Sequence, residues 1–327
     1  MNERGDGANS AAVLPRPGVA RRSLATRLLN SPDVFAALLL APAGIILLFV
    51  FVYPLVQTVV YSFLDINLMN PAGGTPFIGL KNFGFLISHP DFWSSVRITT
   101  ILTVATVTLQ LVIGMIFALL LAEPFFGSGI VRGLYLLPWA LPAIVVAFGW
   151  RMYLVPGYGL LDNILSVLLQ PFGLAKQAAV IDWFGQPTLA LLSVTGVVVW
   201  KGLPFAVLVF LAGLQSIPAD LEEAARVDGA NGAQEFWYVK LPQLRLVITI
   251  VVLLHIIGTF NGFDLPYLLT QGGPENSTMV LAIQVYNQAF VAFEEGRAAA
   301  LAVMMLLVLG AFAYFLLMTQ TGEEERT

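Results

Sequence analysis

The chain has 327 residues, of which 58% are apolar and 11% charged, with a net charge of −4. A soluble domain usually carries about 25% charged residues, so this chain has too little polar surface to cover a water-soluble core and reads as an integral membrane protein. The absence of cysteine excludes disulfides, thiolate catalysis and Cys-ligated metals, and the only histidines, His89 and His255, are too few for a His-built metal site.

The first 33 residues are basic and rich in Gly, Ala and Pro, which predicts a disordered tail. They do not read as a cleavable signal, because the apolar segment that follows is too long and lacks a small-residue cleavage site. A spanning helix needs about 20 mostly apolar residues. Six stretches qualify: Val34–Tyr61, Ile98–Leu121, Val131–Leu154, Thr188–Leu214, Leu244–Leu265 and Ala298–Met318. The expectation is an all-α protein with six transmembrane helices over residues 34–318 and a short tail over 319–327. Leu160–Leu174 is apolar but short and holds Pro171, so it is expected in a loop or lying at the membrane surface.

Lys and Arg are biased toward the cytoplasmic side of spans. If the end bearing Arg4, Arg16, Arg21, Arg22 and Arg27 is inside, Arg132, Arg226, Lys240, Arg245 and Arg326 also fall inside. Lys81, Arg97, Lys176 and Arg297 fall outside. Both termini are then expected in the cytoplasm, together with the segment 216–243.

That segment, around "LEEAARVDGANGAQEFWYVKLPQL", is polar amid apolar neighbours. Pro218 suits a first helical turn, and Asp220, Glu222 and Glu223 complement the helix dipole. Gly229 is placed to end the helix in a left-handed conformation. Asn231 and Gln234 have capping-box spacing, and Pro242 is expected to stop the second helix. A helix–turn–helix follows. The residues alone fit a solvating connector and a docking surface equally well.

Intramembrane ionisable residues are functional candidates. Arg151 is expected to snorkel to the outer interface beside Trp150 and Tyr153, and Asp264 to sit near the outer headgroups. His255 lies mid-span and needs a partner helix or a cavity. Lys201 invites either an anionic substrate or a pairing with Asp264 or a neighbouring subunit. No phosphate-binding loop of the form GxxxxGK[ST] occurs, so the chain is not itself an ATPase. No catalytic cluster supports an enzyme, and no internal repeat supports a secondary carrier.

The spacing "EAARVDG", nine residues, "VKLP" resembles the EAA signature of ABC-importer permeases, with Val239 in place of the usual Ile. "FIGLKNF", "RGLYLLPWALP", "WKGLPF" and "LLTQGGPENST" resemble the carbohydrate-uptake permeases of the maltose and glycerol-phosphate type, the last the F-type subunit. The resemblance implies the six-helix, MetI-like permease fold of type I ABC importers. It also implies a coupling helix that docks on an ATPase through Glu223, Ala224, Ala225, Asp228, Gly229, Leu241 and Pro242. It further implies a substrate path past Lys201, Gly202, Phe205, His255, Gly258, Thr259 and Gly262, the last set on one helical face with His255 and Thr259. The maltose family has Ser, Phe and two Asn where this chain has His255, Gly258, Thr259 and Gly262. That departure argues against maltose held in the same pose. The implied partners are a second permease subunit, two ATPase subunits that hold ATP and Mg, an extracytoplasmic binding protein and membrane lipid, in a bacterial or archaeal plasma membrane. The chain itself is expected to bind no cofactor, metal or nucleic acid. The implied cargo is a carbohydrate or sugar derivative, with a sugar phosphate or glycerol phosphate as the alternative.

Overall fold

The computed structural model describes residues 32–123, 126–173 and 181–324. The expected N-terminal tail lies outside these residues except for Pro32 and Asp33, which already begin helix α1 (Pro32–Leu47). The expected outer cation Lys176 lies outside them too.

The chain divides into two units at Val56/Gln57. The first is the apolar helix α1, a π turn over Leu48–Val52 and the start of α2 (Tyr53–Tyr61). Pro42 lies within α1. Its side chains from Phe35 to Tyr53 are largely exposed, as a lipid-facing helix requires.

The second unit is helical, with two isolated bridges, Leu64 to Phe77 and Asn67 to Glu294, among its described residues. After α3 (Lys81–Ser88) it contains α4 (Pro90–Ala122), which starts at a proline where the missing N–H costs nothing. Then come α5 (Ser128–Tyr135), α6 (Leu137–Ala140), α7 (Ala143–Tyr153), α8 (Leu160–Leu169) and the long α9 (Pro187–Gln215). A polar connection carries α10 (Ala219–Val227), α11 (Gly232–Glu235) and α12 (Leu241–Gln243). It leads into α13 (Arg245–Phe260), α14 (Asp264–Thr270), α15 (Leu281–Tyr286) and α16 (Glu295–Glu324).

Among the described residues, four helices are long and apolar enough to cross a membrane singly: Val34–Tyr61, Pro90–Ala122, Pro187–Gln215 and Glu295–Leu316. The count reaches six when two bent pairs are each taken as one span. The stretch expected as one helix over Val131–Leu154 bends by 97° between Ala140 and Ala143. Leu141 precedes Pro142 and is forced into extended backbone, φ −69° and ψ 139°. The expected span Leu244–Leu265 is also shorter in the structure. α13 has 16 residues, about 24 Å at 1.5 Å per residue, less than the roughly 30 Å hydrocarbon core. It meets Gly232–Gln243 at 70°. α16 continues to Glu324, beyond the expected end at Met318. The short stretch from Leu160 is helical to Leu169, with a 3-10 turn over Gln170–Phe172.

One core cluster joins Met115, Ala118 and Leu121 of α4 to Val207, Phe210 and Leu214 of α9 and Val251 of α13. Without a hydrophobic drive between helices in lipid, small residues that permit close approach decide such packing. A Cβ on Gly114 would lie 3.0 Å from the Ala206 Cβ, and one on Gly213 would lie 2.8 Å from Leu244 Cδ2. A second cluster, near the opposite end of the same helices, joins Leu102, Val146, Val194, Val197, Leu265 and Ile283.

Candidate functional site

A cavity of about 480 Å3 opens between α9, α13 and the bend of the α5–α7 segment. All seven residues expected along a substrate path line it: Lys201, Gly202, Phe205, His255, Gly258, Thr259 and Gly262. α9 supplies the first three and α13 the next three. Gly262 is a correction to the expected single helical face. α13 closes at Phe260, the Gly262 N–H bonds the Thr259 carbonyl at 3.0 Å, and Gly262 reaches the cavity from the break that follows.

Lys201 does not take Asp264 as a hydrogen-bond acceptor. Its Nζ donates to the Leu141 carbonyl at 2.7 Å and to the Trp139 carbonyl at 3.3 Å. These carbonyls belong to the bend, where a helix end leaves acceptors unpaired and its dipole favours a cation. Asp264, expected at the headgroups, opens the first turn of α14 and lines the same cavity. Arg151 places Nη1 3.5 Å from the Leu268 carbonyl, and Trp150 packs edge-on to Tyr153.

Phe205 is already flanked by two rings. Trp139 stacks on it with centroids 6.0 Å apart and planes at 26°, and His255 lies 5.7 Å away, tilted by 47°. Trp139 is 52% exposed and lines the cavity, so it is the ring with a face to offer. Sequence reading passed over it, although it sits between the two prolines of "LPWALP".

Gln110 was missed as well. It is 2% exposed, in the middle of α4. Its Nε2 donates to the carbonyls of Val198 at 3.1 Å and Val199 at 3.4 Å. That orientation turns Oε1 toward His255, whose Nδ1 donates to it. The tautomer with the proton on Nδ1 leaves Nε2 as an acceptor, and no hydrogen-bond partner reaches it among the described residues. The signal in the sequence is a lone amide within the apolar run "TVTLQLVIG", uncharged and so less conspicuous than an ionisable side chain.

The polar connection folds much as its residues dictate. Pro218 is extended and sits just before the helix rather than in its first turn. Gly229 has φ +83°, where a side chain would be strained. The Asn231 Oδ1 accepts the Gln234 N–H at 3.0 Å, and the Gln234 Oε1 accepts the Asn231 N–H at 2.8 Å, forming the expected capping box. A π turn over Phe236–Lys240 widens the second helix, which ends at Gln243, one residue past Pro242, with a 70° bend before α13. The Leu241 N–H bonds the Phe236 carbonyl across this turn, a register that accommodates a following residue without an N–H. Glu223, Ala224, Asp228 and Gly229 are exposed, and Ala225 is half-buried.

Four charges close a ring across this connection. Arg226 pairs with Glu222 at 3.4 Å and Glu235 at 3.2 Å, and Lys240 pairs with Glu222 at 3.6 Å and Glu235 at 2.8 Å. Glu235 is 6% exposed. Hydrogen bonds from Lys240 and then Arg226 hold its carboxyl below the usual range, and the bond to Glu235 raises Arg226. Among the described residues, no group of three or more His, Asp or Glu could hold a metal ion.

The family described as binding-protein-dependent transport system inner membrane component matches residues 110–320. The trehalose/maltose transport system permease protein MalF of Thermococcus litoralis is 37% identical over 212 residues, covering 65% of this chain and 69% of that protein. The sulfoquinovosyl glycerol transport system permease protein SmoG of Agrobacterium fabrum is 35% identical over 283 residues, covering 86% of this chain and 88% of that protein. A crystal structure of a bacterial ABC transporter involved in the import of the acidic polysaccharide alginate superposes with a TM-score of 0.73. It is 21% identical and covers 88% of this chain and 96% of that one.

Proposed function

The chain belongs to the family of inner membrane components of binding-protein-dependent transport systems, as a permease subunit of an ABC importer, and from that premise we propose that its cargo is a carbohydrate or sugar derivative. The relatives named for trehalose/maltose and for sulfoquinovosyl glycerol support that cargo class. So does a cavity that offers an exposed Trp139 face beside polar side chains. Lys201 is already engaged by two carbonyls, which favours a neutral cargo over a phosphate.

One observation carries the coupling half of this reading. The capped loop of residues 216–243 runs through the π turn to Gln243 and joins α13 at a 70° bend, and α13 lines the cavity. A push on the loop therefore reaches the cavity through one helix and one bend. Glu223 is the polar anchor on an ATPase subunit, and Ala224 and Ala225 form the face for close contact. Asp228 and Gly229 make the turn, and Leu241 and Pro242 lead toward the span. Arg132, Arg226, Lys240 and Arg245 favour the cytoplasm for this side, with both termini. Residues 34–318 form the membrane domain.

In the working assembly a binding protein delivers cargo from outside to a pathway shared with a second permease subunit. Two ATPase subunits hold ATP and Mg, close on them and push the loops, and the spans rock between outward-open and inward-open states. Lys201, Gly202, Phe205, His255, Gly258, Thr259 and Gly262 then border the moving pathway. The test is co-purification with the ATPase. Glu223→Lys and Gly229→Pro each lose it, whereas coupled transport in both variants overturns the docking role.

A further inference from the structure

Gly229 gives the loop a turn that, left alone, lets α10 pivot against α11. The charge ring spans that turn. Glu222 and Arg226 lie on α10, before Gly229, while Glu235 and Lys240 lie after it, on the helix that leads to α13. Each cation pairs with Glu222 before the turn and Glu235 after it, and Glu235 accepts from both cations while nearly buried. Exposed ion pairs are individually weak. A ring with a buried member is different, because deleting that member leaves two cations facing one remaining carboxylate.

We propose that this ring locks the Gly229 turn and makes the coupling loop a rigid lever, with Glu235 as its positioning residue. The inference rests on the docking role given above. Glu223, the anchor, is exposed and outside the ring, so grip and stiffness are held by different residues and can be separated experimentally. Loss of grip detaches the ATPase. Loss of stiffness leaves the ATPase attached and working while its stroke is absorbed at Gly229.

The test uses the assembled transporter. The chain contains no cysteine, so labels on this subunit have no native background. Spin labels on Asp220→Cys and Gln243→Cys, both at exposed positions, report the angle across the turn. A bimane on Phe263→Cys, at the cavity, reports the response to ATP plus vanadate. With Glu235 intact the spin-label distance is narrowly distributed, and the bimane signal shifts on vanadate trapping. In Glu235→Gln the distribution broadens and most of the bimane shift is lost, although the ATPase still co-purifies and still traps ADP and vanadate. Reversing all four charges together, Glu222→Lys, Arg226→Glu, Glu235→Lys and Lys240→Glu, keeps every pairing of the ring and restores part of the shift.

An unbroadened distribution with a full bimane shift in Glu235→Gln overturns the lever. If Glu235→Gln does not assemble, the four-charge reversal decides: recovered assembly and shift support the ring, and failure to recover overturns it. Failure of the unmutated chain to retain the ATPase would instead overturn the docking role.

Discussion

A Cβ on Gly202 would strike the side-chain amide of Gln110. The bare backbone of α9 lets that amide reach the carbonyls of Val198 and Val199 and still accept from His255. One glycine thus brings α4, α9 and α13 to a common polar point beside the cavity.

Gly202→Ala should displace Gln110 and cost about 1–3 kcal/mol, the usual range for overpacking. Thermal unfolding of the purified complex measures it. Gln110→Ala in the same chain should recover part of the loss by vacating the space; equal melting of Gly202→Ala and the unmutated protein would show that the contact is unimportant.

Lys201→Met should destabilise the bend at Leu141–Pro142 by about 1–3 kcal/mol, because two carbonyls lose a charged donor. Lys201→Arg should retain most of the stability. Uptake of a neutral sugar should survive better in the Arg variant than in the Met variant. A stable Met variant that loses only anionic uptake would return Lys201 to the role of a cargo ligand.

Trp139→Ala should reduce sugar uptake by roughly two- to tenfold, the scale of one aromatic stacking contact of about 0.5–1.5 kcal/mol. Trp139→Phe should keep most of it. Transport assays with purified binding protein distinguish the two, and equal rates would remove Trp139 from the pathway.

The ring also has a pH signature. The folded pKa of Glu235 is lowered, first by the bond from Lys240 and then by that from Arg226. Its stabilising contribution is therefore present above the unfolded carboxylate value of about 4.3 and is lost as pH falls through the lower folded value. The spin-label distance across Gly229 should be unchanged from pH 8 to pH 5 and broaden only in stronger acid. Broadening already near pH 6 would mean that Glu235 is not held in this way.

Gly229→Ala should weaken, not abolish, coupling. A left-handed residue with a Cβ costs roughly 1–2 kcal/mol, less than the proline variant, which cannot adopt φ +83° at all. Retention of the ATPase by the alanine variant and loss by the proline variant is the expected order.

Much of the polar loop over residues 216–243 was legible from sequence because its interactions are local. The Asn231–Gln234 box spans three residues, and the Gly229 conformation follows from a preference of that residue alone. The apolar lengths of α4, α9 and α16 likewise announced spans without reference to any neighbour. The seven residues expected along a substrate path came from resemblance to the maltose-type permeases, and one cavity is lined by all of them. Residue patterns alone had singled out Lys201 and His255.

The sequence by itself determined that this is a helical membrane protein, where its apolar segments lie, and that a capped, glycine-turned loop separates two of them. Composition, capping and backbone preference act over a few residues and need no fold. Only the tertiary structure decided that Lys201 caps a bend about 60 residues earlier in the chain and that Gln110 meets His255 across 145 residues. It also decided that Glu235 closes a ring over Gly229. The physical reason is that a buried donor or acceptor must be satisfied by whatever group packing brings near it, and a polar side chain in a sequence does not carry the address of its partner.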